Sequence, residues 1–351
     1  MASVLSWPSV PWAADEARTL SSGLGSTVPV TVLTGFLGSG KTTLLAACIE
    51  GGGLANTAVL VNEFGDIPLD HHLLEVVHED VVVLPSGCVC CAVRNDLVRA
   101  LCDLHNRSQR RELPPLRRVV IETSGLANPT PLLRTLRKNA LVQVGFHMAG
   151  TVTCVDATLG LATLLRHDEA VSQVVVAERL IITKTDLTTP DQLASLEARL
   201  KQLNPLATIT RSAQGHWDGL GAFLEVEREK QEPASCSHEH EAEGHQGEAI
   251  WTLSETSRAK VHFDAFALWL SMMTQLYGEN LLRTKGILLV DDAPEPVVVQ
   301  SVQHVVYPVA TLRDWPFPEP ESRFVVIARG LEPLLQKEIR LSLRTLLLGQ
   351  A

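Results

Sequence analysis

The residues that indicate chemistry most clearly form the run Gly35-Phe-Leu-Gly-Ser-Gly-Lys-Thr42, which matches the pattern G-x-x-x-x-G-K-[ST]. An apolar run ending at Thr34 precedes the pattern and a helical run follows it, which is the context that a phosphate-binding loop requires. Glycines there let backbone N–H groups and a helix N-terminus face an anion. We therefore predict a nucleotide-phosphate site rather than an ordinary glycine-rich turn.

Individual residues of this loop have separate predicted roles. The Lys41 ammonium is predicted to reach the β- and γ-phosphates, which makes it a catalytic candidate, and the Thr42 hydroxyl is predicted to bind Mg²⁺. The predicted nucleotide-contacting residues of this segment are Gly35, Gly38, Ser39, Gly40, Lys41, Thr42 and Thr43.

A second apolar run ends in an acid, in the sequence Arg118-Val-Val-Ile-Glu122-Thr-Ser-Gly125. Ligands of open α/β sheets bind at the carboxyl ends of the strands. Glu122 is therefore predicted to bind Mg²⁺ through water or to orient the attacking water, and Gly125 to donate its N–H to the γ-phosphate. A plain surface acid would be the better interpretation of Glu122 alone, but not beside a phosphate loop.

A third apolar run ends in Thr183-Lys184-Thr-Asp186, which fits the [N/T]-K-x-D pattern of guanine recognition. The Asp186 carboxylate can accept from guanine N1–H and the 2-amino group, a donor pair that adenine lacks, and the Lys184 stem can lie along the base. Most GTPases carry asparagine where this chain has Thr183, and a hydroxyl offers fewer hydrogen bonds than an amide. The strictness of GTP over ATP therefore stays open. Arg211–Gly215 is a further candidate for a loop beside the base.

Three of the seven cysteines, Cys88, Cys90 and Cys91, lie within four positions just before a predicted helix. Thiolates at this spacing can converge on one soft ion such as Zn²⁺. A three-thiolate site leaves a position for another ligand, which suits metal transfer better than storage. Buried structural cysteines or a redox pair are the alternatives.

Two weaker segments complete the candidate site. The strand-end turn Asn62–Asp66 lies between the phosphate loop and the cysteines, and a γ-phosphate switch and a plain turn are equally good interpretations of it. Downstream, His238 and His240 stand near Cys236 and His245, so this segment is predicted to capture metal weakly. A solvated charge run is the alternative there.

The elements that must position these residues alternate between short β-branched runs and amphipathic helices up to about residue 225, which predicts a parallel sheet covered by helices on both faces. Strand-like runs and two helices follow residue 249 and predict a smaller α+β unit. The predicted strands are 30–33, 58–61, 118–121, 150–155, 180–183, 286–290, 297–306 and 324–328, and the predicted helices are 42–49, 94–105, 191–203, 264–276 and 332–347. The predicted divisions are a flexible leader at 1–28, a P-loop domain at 29–225, a polar linker at 226–248 and a C-terminal domain at 249–351.

Charge and hydropathy argue against two classes of protein, those that bind nucleic acid and those that span a membrane. The net charge of −10 argues against nucleic acid as a main partner, because neutralising phosphates needs a basic face. No stretch approaches the roughly 18 apolar residues of a membrane span, which argues against a membrane partner. The first residues have no basic region and contain two early prolines, unlike a secretory signal, so a cytoplasmic location is expected.

Taken together, the ordered motifs resemble the CobW-like family of P-loop GTPases, which includes metallochaperones. The resemblance covers about residues 29–348 and implies GTP hydrolysis coupled to handling of Zn²⁺ or Co²⁺ at the three cysteines. It also implies a metal-requiring client protein. The matching segments are Thr34–Thr43, Asn62–Gly65, Gly87–Cys91, Glu122–Pro129, Thr183–Asp186 and Leu282–Gly286.

The resulting hypothesis is a GTPase that delivers a transition metal, with GTP, Mg²⁺ and Zn²⁺ or Co²⁺ as ligands. Two other classes remain open at this point. One is a P-loop ATPase or kinase acting on a small molecule, and the other is a non-catalytic metal store. The cognate metal, the client, the group that activates water, and assembly into a homo-oligomer are also open.

Overall fold

The structure is a computed structural model that describes residues 27–51, 54–62, 81–86, 94–213, 240–241, 250–307, 309–312 and 314–349. The predictions for Cys88, Cys90, Cys91 and His238 lie outside these residues, as do those for residues 63–66 and the side chains of Asn62 and His240.

Within the described residues, seven parallel strands form the first sheet in the order β3-β2-β4-β1-β5-β6-β7. The central segments of β1, β2, β4, β5 and β6 are apolar and buried on both faces, as in parallel sheets covered by helices. The strands are β1 Val28–Thr34, β2 Thr57–Asn62, β3 Val81–Ser86, β4 Arg118–Glu122, β5 Phe146–Asp156, β6 Arg179–Thr183 and β7 Thr208–Arg211.

Helices cover both faces of this sheet. Leu97, Leu101 and Leu104 lie along one stripe of a single helix and are fully buried against β1, β2 and β4. The helices are α1 Lys41–Glu50, α2 Arg94–Gln109, α3 Thr130–Lys138, α4 Ala140–Gly145, α5 Gly160–Arg166, α6 Asp168–Val175 and α7 Pro190–Leu203. The predicted P-loop α/β class is therefore confirmed.

The C-terminal unit is an antiparallel sheet packed against two helices, as the predicted α+β domain requires. His240 and Glu241, inside the predicted linker, pair with Trp251 and Thr252 as a short edge strand. The elements are β8 His240–Glu241, β9 Ile250–Ser257, α8 Phe263–Tyr277, β10 Leu281–Leu288, β11 Val297–Val302, β12 Val305–Val306, β13 Ala310–Thr311, β14 Ser322–Arg329 and α9 Pro333–Leu347.

Two strand predictions in this unit were wrong in their bounds. The strand predicted at 286–290 is β10, which runs from Leu281 to Leu288. Gly286 does not begin this strand but lies inside it, where the ring of Phe324 packs over the backbone. A Cβ on Gly286 would meet that ring at 2.2 Å. The run predicted at 297–306 is two strands, because the chain reverses at Gln303, whose φ is 49°.

The two units share apolar cores. Leu282 and Ile327 of the antiparallel sheet pack in one cluster with Leu180 and Ile182 of β6. The aromatic ring of Tyr307 joins a second cluster beneath β1 and β4. The two units therefore pack directly against each other. Among the described helices, none combines the length and the apolar character needed to cross a bilayer.

Candidate nucleotide site

The phosphate loop leaves β1 at Thr34 and enters α1 at Lys41, with three glycines in conformations that other residues rarely adopt. Their φ angles are 142° at Gly35, 71° at Gly38 and 82° at Gly40. A Cβ on Gly35 would lie 2.4 Å from the Cys154 carbonyl oxygen on β5. The first glycine is therefore required by both backbone angle and space.

The Lys41 side chain is buried inside this loop. Its Nζ donates to the Gly35 carbonyl at 2.8 Å and to the Phe36 carbonyl at 3.2 Å. The positive charge consequently lies within the turn formed by the loop backbone. An ammonium group held there is placed to attract an anion that enters the turn.

The predicted Thr42 and Glu122 pair is brought together by the register of the sheet. Glu122 is paired with Leu33 across β4 and β1, and its Oε1 accepts a hydrogen bond from Thr42 Oγ1 at 2.7 Å. Glu122 is only 4% exposed. A hydroxyl and a carboxylate are the hard oxygen ligands that Mg²⁺ prefers, so the donor set fits this ion.

The segment after Glu122 lies directly against the phosphate loop. Thr123 is tied to the end of β1, since its N–H donates to the Leu33 carbonyl at 2.9 Å and its hydroxyl to Thr34 Oγ1 at 2.7 Å. Two residues later, Gly125 is so close to Leu37 that a Cβ would lie 2.7 Å from the Leu37 amide nitrogen. Gly125 therefore stands beside the phosphate loop, as its predicted contact with a γ-phosphate requires.

We expect Gly125→Ala to impair the use of GTP while sparing GDP. The added methyl group collides with the Leu37 backbone, so the loop after Glu122 must move away from the phosphate loop. A displacement of this size should lower the rate of GTP hydrolysis roughly 10- to 100-fold. Steady-state phosphate release and GDP titration measure the two effects. Gly51→Ala is the control, at an exposed glycine with an ordinary φ of −74°. A fall in GDP affinity as large as the fall in the rate of GTP hydrolysis would contradict the assignment of Gly125.

Thr183, the residue that departs from the usual asparagine, lies behind the phosphate loop. Its hydroxyl donates to the Ser39 carbonyl at 2.8 Å and is 3.3 Å from the Val155 carbonyl. Its side chain is buried, 3.6 Å from the position that a Cβ on Gly40 would take. In this structure Thr183 therefore supports the phosphate loop from behind.

Lys184 connects the phosphate loop with the end of β5. The residue has a left-handed φ of 57°, and its Nζ contacts the Gly38 carbonyl at 2.7 Å and Asp156 Oδ2 at 2.6 Å. Burial alone would raise the pKa of Asp156, but hydrogen bonds from Lys184 and Thr158 hold that pKa below its ordinary value. Asp156 therefore remains an anion that orients Lys184. Asp156 was not among the predicted site residues, although its place at the end of β5 is the position from which ligand contacts are expected.

The predicted base reader Asp186 is exposed on the short 3-10 turn Thr185–Leu187. This turn is held by Ser212, whose carbonyl accepts from the Thr185 N–H at 3.2 Å and from the Thr185 hydroxyl at 3.1 Å. The predicted base-side loop that begins at Arg211 is thus joined to the Asp186 turn. Thr43 is also exposed, at the start of α1.

Metal ligands form no cluster among the residues that the structure describes. Burial raises the pKa of the Cys48 thiol to about 12 and that of the Cys154 thiol to about 12. Both thiols therefore remain protonated near neutral pH and pack as small apolar groups.

Both units of the fold match families of known proteins. Residues 29–211 match the family model described as CobW/HypB/UreG, nucleotide-binding domain, and residues 250–347 match the cobalamin synthesis protein cobW C-terminal domain. The zinc chaperone YjiA of Escherichia coli is 29% identical over 316 residues, which cover 89% of this chain and 96% of that protein. Zinc-regulated GTPase metalloprotein activator 1 of Schizosaccharomyces pombe is 34% identical over 208 residues, covering 57% of this chain and 49% of that protein.

A solved structure is similar over nearly the whole chain. The Zn(II)-bound YjiA GTPase of E. coli superposes with a TM-score of 0.70 at 25% identity, covering 92% of this chain and 99% of that one. Both units of the fold therefore have counterparts in a single known protein. By its sequence, its fold and the residues at the edge of its parallel sheet, this chain belongs to the CobW/HypB/UreG family of nucleotide-binding proteins.

Proposed function

We propose that this chain is a GTPase that carries zinc and couples GTP hydrolysis to the delivery of that metal to a client protein. The observation that carries the proposal is the convergence of the phosphate loop, the Thr42 and Glu122 pair and the Thr183–Asp186 turn at one edge of the parallel sheet. Relatives described as a zinc chaperone and as a zinc-regulated GTPase support the class of activity and the metal.

In this proposal the backbone of residues 35–42 and the Lys41 ammonium bind the triphosphate. Thr42 and Glu122 hold Mg²⁺, with Glu122 acting directly or through water, and Mg²⁺ neutralises charge on the phosphates when bound. Gly125 donates its N–H to the γ-phosphate. Glu122 is also the candidate for orienting the attacking water. These are the roles that the sequence predicted for the same residues.

Guanine selection rests on Asp186 in this proposal, because the Thr183 hydroxyl bonds to the Ser39 carbonyl. We expect Asp186→Ala to weaken GTP binding about 10- to 100-fold, since two hydrogen bonds to a charged acceptor are lost. ATP binding should change little, because adenine lacks that donor pair. Competition titrations with both nucleotides measure this. Asp191→Ala, at an exposed aspartate in the first turn of α7, is the control, and an equal loss for GTP and ATP would contradict the role.

The proposed metal ligands are Cys88, Cys90 and Cys91, with His238 and His240 as weak accessory ligands. The chain between Ser86, which ends β3, and Arg94, which begins α2, contains all three cysteines. Because β3 runs parallel to β1, Ser86 lies at the edge of the sheet that also bears the phosphate loop. The three cysteines therefore follow, along the chain, the carboxyl end of β3, which lies at the same edge of the sheet as the phosphate loop.

Phosphate release in the presence of GTP, Mg²⁺ and Zn²⁺ tests the proposal as a whole. GTP hydrolysis that exceeds ATP hydrolysis, with zinc bound at stoichiometric amounts, is expected. No phosphate release would instead favour a non-catalytic metal store, and faster turnover of ATP would favour an ATPase or kinase. Cobalt in place of zinc tests the identity of the metal. The client, the cytoplasmic location and self-association remain predictions.

A further inference from the structure

A fully buried glutamine on α6 holds the segment that stands beside the phosphate loop. Gln173 Nε2 donates to the Gly125 carbonyl at 3.1 Å and to the Ala127 carbonyl at 3.0 Å, and its side chain is 0% exposed. Its backbone carbonyl accepts from Thr153 Oγ1 on β5 at 2.7 Å. Among the described residues, Gln173 Oε1 accepts no hydrogen bond. The contribution of this side chain therefore lies in its two donated bonds.

These two bonds act on backbone groups next to the proposed γ-phosphate contact. The Thr123 end of the segment is fixed to β1 by its own hydrogen bonds. The Gly125 end packs against the Leu37 backbone, and its carbonyl accepts a hydrogen bond from Gln173. The position of Gly125 consequently depends on where α6 lies.

The C-terminal unit contacts α6 at both ends. Arg283 on β10 is buried, donates through Nη1 to the Val175 carbonyl at 3.0 Å, and forms an ion pair with Glu178 at 2.9 Å. Cations at the carboxyl end of a helix are favourable because that end carries partial negative charge. At the other end, Arg329 on β14 lies 3.0 Å from Asp168. A shift of the C-terminal sheet would therefore move α6.

We propose that Gln173 is a positioning residue for the γ-phosphate of GTP and that α6 couples the γ-phosphate contact at Gly125 to the C-terminal unit. The proposal rests on the GTPase function proposed above. Binding of GTP, but not of GDP, fixes Gly125 and Ala127, and through Gln173 this fixes α6 against Arg283. The C-terminal unit thereby distinguishes the triphosphate from the diphosphate form.

The first test replaces Gln173 by methionine, which has a similar length but cannot donate. The full chain should bind a non-hydrolysable GTP analogue about tenfold more weakly, and its affinity for GDP should be unchanged. Thermal unfolding of the variant separates this effect from a loss of fold, and Gln202→Met, at an exposed position of α7, is the matched control. Equal weakening of both nucleotides, or no weakening, would overturn the positioning role.

The second test asks whether the C-terminal unit acts through the same glutamine. Arg283→Lys keeps the charge beside Glu178 but loses the planar fork that reaches Val175. It should reduce the preference for the GTP analogue over GDP about threefold in the wild-type chain, and should have no such effect in the Gln173→Met chain. An equal effect in both chains would show that the two residues act independently and would overturn the coupling.

A third variant keeps the proposal testable if Gln173→Met does not fold. Arg329→Gln removes the ion pair with Asp168 at the start of α6. This variant and Arg283→Lys, each made separately, should lower the preference for the GTP analogue over GDP. An unchanged preference in both single variants overturns the coupling. Failure of the GTPase proposal itself looks different. In that case the wild-type chain binds neither GTP nor GDP, whereas failure of the present inference leaves wild-type binding intact and the variants unchanged in their preference.

Discussion

Replacing Lys41 by alanine is expected to abolish nucleotide binding. The buried ammonium lies inside the turn, 2.8 Å from the Gly35 carbonyl and 3.2 Å from the Phe36 carbonyl, with no second lysine in residues 35–42 to replace it. Hydrogen bonds to charged groups each contribute about 1.5–3 kcal/mol, so losing those to two phosphates should weaken GTP binding at least about 100-fold. Titration of the purified chain with a fluorescent GTP analogue measures this.

The matched control for Lys41→Ala is Lys201→Ala, at an exposed lysine in the last turn of α7. This variant should bind GTP as the wild-type chain does. Thermal unfolding without nucleotide should separate loss of binding from loss of fold in both variants. GTP affinity at the wild-type level in a folded Lys41→Ala chain would refute the assignment of the phosphate loop.

Replacing Cys90 and Cys91 together by serine is expected to remove nucleotide-dependent zinc binding. A serine hydroxyl stays protonated near neutral pH and is a poor ligand for an ion that prefers thiolate. Mutating a residue that only hydrogen-bonds to a metal ligand already lowers metal affinity about 10–100-fold. Removing two of the ligands themselves should therefore lower zinc affinity more than about 100-fold. Competition with a zinc chelator of known affinity, in the presence of a GTP analogue, provides the measurement.

Cys102→Ser is the control for the double cysteine variant, because Cys102 is partly exposed on α2 and lies outside the three-cysteine segment. It should bind zinc as the wild-type chain does. GTP binding should also survive in the double variant, because the phosphate loop is unaltered. A zinc titration identical to that of the wild-type chain would defeat the metallochaperone proposal.

The phosphate loop was predictable because its chemistry is local. Gly35, Gly40 and Lys41 are fixed by the conformation of one turn, and the apolar run before them places that turn at a strand end. Glu122 was predictable for a related reason, since parallel strands end at a common edge. The pairing of Leu33 with Glu122 supplies the register that brings its carboxylate to Thr42.

The contacts that hold these residues in place were not predictable, because each depends on packing between distant segments. Gln173 is 48 residues from Gly125, and Arg283 is 105 residues from Glu178. Neither residue belongs to a recognisable short pattern on its own. Thr183 shows the same limit: its sequence position indicated the base, whereas its hydroxyl reaches the Ser39 carbonyl of the phosphate loop.

Zinc affinity measured in three nucleotide states tests the coupling of GTP to metal most directly. The wild-type chain is titrated with zinc in the presence of a non-hydrolysable GTP analogue with Mg²⁺, then with GDP and Mg²⁺, and then without nucleotide. The affinity is expected to differ clearly between the GTP analogue and GDP, and this difference should vanish when Cys90 and Cys91 are serine. Identical zinc affinity in all three states would contradict the account.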